Sequence, residues 1–248
     1  MEFRRLLPDP ATVDSAELLH DLRLGERARA DRPYVIANFA ATADGRIALG
    51  GRSGPIGDDG DLEMFRRLRT QADALLVGTG TLRTEEYGRV MRNPALRAHR
   101  EAIGLAPDPP LVIVSRSGDL PLGIPLFADP ASRVIVFTHP EVPDPDVAAQ
   151  VELVRMDRAQ LTVTAALRAL RAEHGIRSVL SEGGPTLLGA MLHEGLVDEL
   201  FLTVAPQLAG GGTDPTLTSG APLPSPAQLE LRWALERHGS LYLRYAVR

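Results

Sequence analysis

The sequence predicts a layered α/β fold on a mixed, mostly parallel sheet that ends in an antiparallel hairpin. Three observations predict it. Short apolar runs alternate with helix-period segments from residue 34 to 180, as expected of strands linked by crossover helices. Glycine-bearing turns follow three of the runs, at 43–45, 78–81 and 181–184. The last two apolar segments, Leu229 to Leu235 and Leu241 to Val247, alternate and are joined by His238-Gly239. That pair reads as an antiparallel hairpin on the sheet edge.

Each element has its own signal. Residues 1–31 read as an N-terminal extension with one short helix around Ser15 to Leu24, capped by Asp14 or Ser15. Residues 32–248 form the main domain. Tyr34 to Ala41 is a continuous apolar run, the pattern of a buried strand. The turn at 43–45 interrupts it, and Ile47 to Leu49 resumes it after a bend. From Asp61 to Thr70, Leu62, Phe65 and Leu68 recur every three residues and predict one apolar helix face. Ala74 to Val77 is a strand, and a long basic loop follows it with Arg83, Arg89, Arg92, Arg97, His99 and Arg100. Leu111 to Val114, Val134 to Phe137 and Val151 to Val154 are further strands. Leu161 to His174 is a helix, Ser178 to Leu180 a strand, 186–194 a helix and Leu200 to Ala205 a strand.

Composition bounds the function. The chain has 248 residues, 44% of them hydrophobic, enough to bury a full core. A formal net charge of −5 gives no electrostatic footprint for nucleic acid. No apolar run reaches the roughly 20 residues that span a bilayer, and Met1 to Asp31 lacks the apolar stretch of a signal peptide. A cytoplasmic protein fits best. With no cysteine, thiolate catalysis, disulfides and cysteine-ligated metals are excluded. The six histidines show no HExxH or other close spacing, so no metal site is expected.

The three turns carry the candidate chemistry. Ligands of open α/β sheets bind at the carboxyl ends of strands, so the turns can converge on one site. Gly183 and Gly184 let a ligand approach the main chain, and Pro185 opens a helix whose free N–H groups suit an anion. Glu182 stands just before that turn, placed to face a substrate. Asp44, at the end of the first strand, can hold a ribose or a polar ring nitrogen, or simply form an Asp-Gly turn. Arg89 and Arg92 are candidates for phosphate, because a guanidinium matches its geometry; the alternative is a solvated surface charge. Arg69 ends a helix, where a cation is expected anyway. Ser115 and Arg116 follow a strand and can grip a 2′-phosphate or cap a charged turn. Neither GxxxxGK[ST] nor GxGxxG after the first strand is present, which argues against a P-loop and a Rossmann dinucleotide fold.

Taken in order, these blocks resemble the reductase domain of bacterial riboflavin biosynthesis, the RibD C-terminal domain family, a relative of dihydrofolate reductase. The matching pieces are Arg32-Pro33-Tyr34 leading to Ala41-Thr42-Ala43-Asp44-Gly45-Arg46-Ile47-Ala48, then Leu68-Arg69 through Ala74-Leu75-Leu76-Val77-Gly78-Thr79-Gly80-Thr81. Leu180-Ser181-Glu182-Gly183-Gly184-Pro185-Thr186-Leu187 follows, then Gly195-Leu196-Val197-Asp198-Glu199-Leu200 and Ala205-Pro206. The chain departs from the family's pattern at Pro55-Ile56, where an aromatic residue usually precedes Ile. It departs again at Glu85-Glu86-Tyr87, where two acids are usually followed by proline.

The resemblance implies a three-layer α-β-α, dihydrofolate reductase-like fold in stand-alone form, without the zinc deaminase domain of the bifunctional enzyme. It implies an NADPH-dependent oxidoreductase that reduces the ribose of a phosphoribosylamino-pyrimidine, of the 5-amino-6-(5-phosphoribosylamino)uracil reductase type, and works as a homodimer. Ala43, Asp44, Gly78, Thr81, Glu85, Gly183, Gly184, Pro185, Thr186 and Leu187 would surround the cofactor, with Ser115 and Arg116 near its adenosine phosphate. Arg69, Arg89, Arg92 and Glu182 would meet the substrate, with Asp44 and Glu182 as the catalytic carboxylates. Two alternatives stand beside this: a dihydrofolate or pterin reductase, and a non-catalytic NADPH-binding sensor.

Overall fold

A computed structural model describes residues 1–248. In chain order its strands and helices are β1 (Glu2–Leu7), β2 (Ala11–Asp14), α1 (Ser15–Leu18), β3 (Tyr34–Thr42), α2 (Asp59–Arg69), β4 (Ala74–Val77), α3 (Thr79–Thr84) and α4 (Pro94–Ala102). There follow β5 (Leu111–Val114), α5 (Pro125–Ala128), β6 (Arg133–Thr138), β7 (Gln150–Arg155), α6 (Val163–Glu173), β8 (Ser178–Gly183), α7 (Pro185–His193), β9 (Glu199–Ala205), β10 (Leu229–Arg237) and β11 (Ser240–Val247). The fold class is the expected one, a three-layer α/β fold with parallel strands and a C-terminal antiparallel hairpin. Two units make up the chain. One comprises Met1–Leu22, Val35–Gln71 and Pro185–Arg248; the other comprises Arg23–Tyr34 and Ala72–Gly184.

The unit containing Ala72–Gly184 carries five parallel strands in the order β8-β4-β5-β6-β7. All four residues of β4 are buried, as a strand covered on both faces requires. From β4 the chain steps outward through β5, β6 and β7, and α6 then returns it to β8 on the other side of β4. Strand order therefore reverses between β4 and β8, and the loops leaving their carboxyl ends diverge. A crevice opens at such a point in parallel sheets. The opposite ends are tied by Asp73, whose Oδ2 accepts the Ser178 N–H at 2.8 Å and hydroxyl at 2.7 Å.

The basic loop after β4 is more ordered than the sequence suggests. It contains α3 and α4, the latter opened by Asn93 as cap and Pro94 at its first turn. Arg100 is fully buried and donates to the carbonyls of Ala72 (2.7 Å) and Ala106 (2.6 Å). Burial lowers its pKa to about 10, still charged at neutral pH.

In the other unit the strand order is β2-β1-β10-β11-β9-β3, antiparallel except for the β9–β3 pair. Three expectations need correction here. Residues 1–31 are not a bare extension, since β1 and β2 extend the sheet and Phe3 packs edge-on against Tyr242 at 4.9 Å. The anticipated helix covers only Ser15–Leu18, capped by Asp14 as expected, and a separate 3₁₀ turn spans Leu24–Arg27. The hairpin β10–β11 lies inside the sheet, because β1 pairs with β10.

The apolar face of α2 also differs from expectation. Gly60, Met64 and Leu68 are the buried residues, spaced by four, whereas Leu62 is 44% exposed and Phe65 lies under the Arg69 guanidinium at 4.0 Å. Gly60 is required by close approach: a Cβ there would sit 2.3 Å from the Tyr242 hydroxyl. That hydroxyl donates to Asp58, the cap of α2, at 2.6 Å. Ile47 to Leu49 does not resume a strand; only isolated bridges, Arg46 with Thr216 and Leu49 with Arg52, flank it.

Candidate active site

The carboxyl ends of β4 and β8 bring four of the expected cofactor residues together. Gly78 caps the start of α3, and its N–H donates to the Gly183 carbonyl at 3.1 Å. Gly183 and Gly184 have φ of +103° and +84°, a region that favours glycine. The Thr81 hydroxyl lies 3.0 Å from where a Gly184 Cβ would be. Side-chain-free backbone thus faces a hydroxyl at the strand ends, a cradle that any larger residue would fill. Gly80, by contrast, has open space and no unusual φ, so the GxG spacing carries no meaning of its own.

Glu182 owes its position to an irregularity in the sheet. Ser181 pairs with Leu76 and Gly183 pairs with Val77, so the register shifts and Glu182 has no counterpart on β4. An extra residue of this kind re-aims its side chain. The Glu182 residue is only 8% exposed, and its Oε2 accepts the Tyr87 hydroxyl at 2.9 Å. Tyr87 was not among the expected site residues. It stands 95 positions away in the chain, and nothing local marks it beyond its departure from the family pattern.

The arginines of the basic loop sort themselves by partner. Arg83 pairs with Asp119 at 2.7 Å. Arg89 and Arg97 both close on Asp108, at 2.9 and 2.5 Å. The Arg89 fork is filled by the Asp108 carboxylate, so a substrate phosphate would have to compete for it. Arg92 is exposed and held by no such pair; its guanidinium lies against the main chain at Gly88. Glu85 is the residue that ends α3.

Ser115 and Arg116 follow β5, at the same edge of the parallel sheet. Ser115 is buried, and its Oγ accepts the Gly118 N–H at 3.1 Å. Arg116 is exposed and tethered by one bond from Nε to the Leu161 carbonyl at 3.3 Å. Its outer nitrogens remain available for an anion.

The remaining candidates belong to the other unit. Gly45, at φ +86°, completes a turn in which Asp44 is a staple. The Asp44 carboxylate accepts from the Thr42 hydroxyl (2.5 Å) and from the N–H groups of Ala209 (3.1 Å) and Gly210 (2.8 Å). These bonds, the Thr42 hydroxyl first, lower its pKa to about 2. With these partners Asp44 staples the 43–45 turn to the 209–210 backbone, and its carboxylate is ionised at neutral pH. Ala43 is pinned beside it, its N–H donating to Gln207 at 2.8 Å. Pro185 opens α7, Thr186 is exposed and meets Ser219 through the two hydroxyls at 3.0 Å, and Leu187 follows on the same turn. Gly189 lets that loop approach, as a Cβ there would sit 2.2 Å from the Ser219 carbonyl. Arg69 ends α2 over Phe65.

Comparison with known proteins assigns this architecture. The family described as the RibD C-terminal domain matches residues 33–241. The chain belongs to the RibD C-terminal domain family. Among its relatives in that family is the 2,5-diamino-6-ribosylamino-4(3H)-pyrimidinone 5′-phosphate reductase of Methanothermobacter thermautotrophicus, 31% identical over 88% of this chain and 99% of that protein. The protein of the same name from Archaeoglobus fulgidus is 31% identical over 76% and 87%. The riboflavin biosynthesis protein RibD of Mycobacterium tuberculosis is 33% identical, but the chain spans only 47% of its length. Among solved structures, a pyrimidine reductase-like protein from Corynebacterium diphtheriae superposes with a TM-score of 0.74 at 26% identity, covering 88% of this chain and 93% of that one.

Proposed function

We propose that the chain is an NADPH-dependent oxidoreductase that reduces a phosphoribosylamino-pyrimidine in riboflavin biosynthesis. The observation that carries this reading is the glycine turn at the carboxyl ends of β4 and β8, where the strand order reverses. There the Gly183-Gly184 backbone and the Thr81 hydroxyl adjoin a buried carboxylate, Glu182, in a chain of the RibD C-terminal domain family. Two relatives matched over most of their length are named for the 2,5-diamino-pyrimidinone phosphate, which makes the undeaminated pyrimidine the first substrate to try.

The residues present suit NADPH. Gly183 and Gly184 leave the main chain open to close approach, Gly78 and Thr81 line the same turn, and Glu85 closes the helix behind them. Ser115 and Arg116 suit the 2′-phosphate, and the family resemblance adds Ala43, Asp44, Pro185, Thr186 and Leu187 to the residues proposed for the cofactor. When bound, NADPH would supply the hydride to the sugar carbonyl carbon, and the oxygen would take its proton from water. The chain's own task is orientation and exclusion of water. Glu182 receives hydroxyl and N–H donors of the substrate through its carboxylate. Arg92 receives the phosphate, where a forked cation gives both attraction and direction; the family resemblance gives Arg69 the same proposed role. No helix is long and apolar enough to cross a membrane. A homodimer working in the cytoplasm completes the reading, to be tested by light scattering and by cell fractionation.

The deciding experiment follows NADPH oxidation by absorbance with the pyrimidine phosphate, before and after deamination, and with dihydrofolate. Turnover of one phosphorylated pyrimidine is expected. Turnover of dihydrofolate alone, or NADPH binding without turnover, would overturn the proposal.

A further inference from the structure

The turn after α3 concentrates three unusual features in three consecutive residues. Glu86 has φ +47°, in the left-handed region that side-chain-bearing residues seldom adopt. Tyr87 is fastened at both backbone groups, its N–H to Leu82 (3.4 Å) and its carbonyl to the Leu126 N–H (2.8 Å), while its phenol donates to Glu182. Gly88 lies beneath Arg92: a Cβ there would come 2.3 Å from Arg92 Nη2 and 3.2 Å from Cζ. One strained, anchored turn therefore touches both charged groups that the reading above assigns to the substrate. The carboxylate is held by Tyr87, and the guanidinium rests in the space that Gly88 leaves.

We infer that Tyr87 and Gly88 are positioning residues that set the separation between Glu182 and Arg92, and so select a substrate with a phosphate at a fixed reach from its sugar and ring donors. The inference rests on the proposed reductase activity. Its physical basis is that a carboxylate has two oxygens. With the Tyr87 hydroxyl donating to Oε2, the carboxylate is held in one orientation before substrate arrives. Arg92 has the opposite problem. A long exposed side chain has many rotamers, and packing it against glycine backbone limits them before the phosphate arrives.

The test uses the full chain and the variants Tyr87→Phe and Gly88→Ala. Each is assayed on the phosphorylated pyrimidine and on its dephosphorylated nucleoside, with NADPH affinity measured separately. Tyr87→Phe is expected to raise KM about tenfold on both forms, the loss of one hydrogen bond to a charged group, with NADPH binding unchanged. Gly88→Ala is expected to raise KM about tenfold on the phosphorylated form alone, because the added methyl displaces only the flexible end of Arg92. Should Gly88→Ala lower the melting temperature, Arg92→Lys carries the same phosphate-restricted expectation. An unchanged KM in Tyr87→Phe, or equal losses on both substrates in Gly88→Ala, would sink the inference. A wild-type chain that reduces no phosphoribosylamino-pyrimidine would instead remove the reading beneath it.

Discussion

Gly184 and Thr81 approach so closely that a single methyl group at residue 184 would stand 3.0 Å from the threonine hydroxyl. Two glycines of positive φ in succession end β8 in a turn that no other residue pair adopts cheaply. Replacing Gly184 by Ala forces a Cβ into the left-handed region, at about 1–2 kcal/mol, and crowds Thr81. NADPH is expected to bind about tenfold more weakly, measured by titration calorimetry. An unchanged affinity would remove this turn from the cofactor site.

Arg92 and Arg89 lie three residues apart and should behave differently. Arg92→Ala is expected to raise KM for the phosphorylated substrate at least about tenfold with an unchanged melting temperature. Arg89→Ala breaks a half-buried pair with Asp108 and should cost about 1 kcal/mol of stability, leaving KM alone. Steady-state kinetics beside thermal melting separates the two, and a reversed pattern would exchange their roles.

Arg116 is tethered through Nε only. Arg116→Ala should narrow the preference for NADPH over NADH by about tenfold, the value of one charge-assisted contact to phosphate. The ratio of kcat/KM for the two cofactors reads this directly; equal losses with both would assign the arginine to something other than the 2′-phosphate.

Asp44 links the fold to pH. Its folded pKa, lowered to about 2 by the Thr42 hydroxyl and two backbone N–H groups, lies below the ordinary value near 3.8. The stability it contributes is therefore present above the ordinary value and is lost as pH falls through about 2. In Asp44→Asn the melting temperature should be lower than wild type at neutral pH, and the gap should close as pH approaches 2. A gap that persists in acid would mean that shape rather than charge matters at this position.

Much of the fold was legible because its signals are local. The buried parallel strands Ala74–Val77 and Leu111–Val114 are apolar runs whose bounds follow from composition alone, and the hairpin strands alternate with period two. β1 was not legible: Glu2–Leu7 has one buried residue, Phe3. Its stability comes from pairing with β10, more than two hundred positions away, not from its own pattern. α2 misled for a related reason. The three-residue spacing of its apolar residues was real, but Gly60 packs on Tyr242 and turns Leu62 outward.

The same division runs through the site. By itself the sequence determined which residues could bend the chain and which could carry charge, since glycine's freedom at 183–184 and the number of arginines are properties of residues. Only the tertiary structure decided which charges remain for a ligand. Asp108 takes Arg89 and Arg97, Thr42 and the 209–210 backbone take Asp44, and Tyr87 reaches Glu182 across 95 positions. Hydrogen bonds act only over about 3 Å, so partnership is fixed by where the folded chain brings atoms together, and no local pattern encodes it.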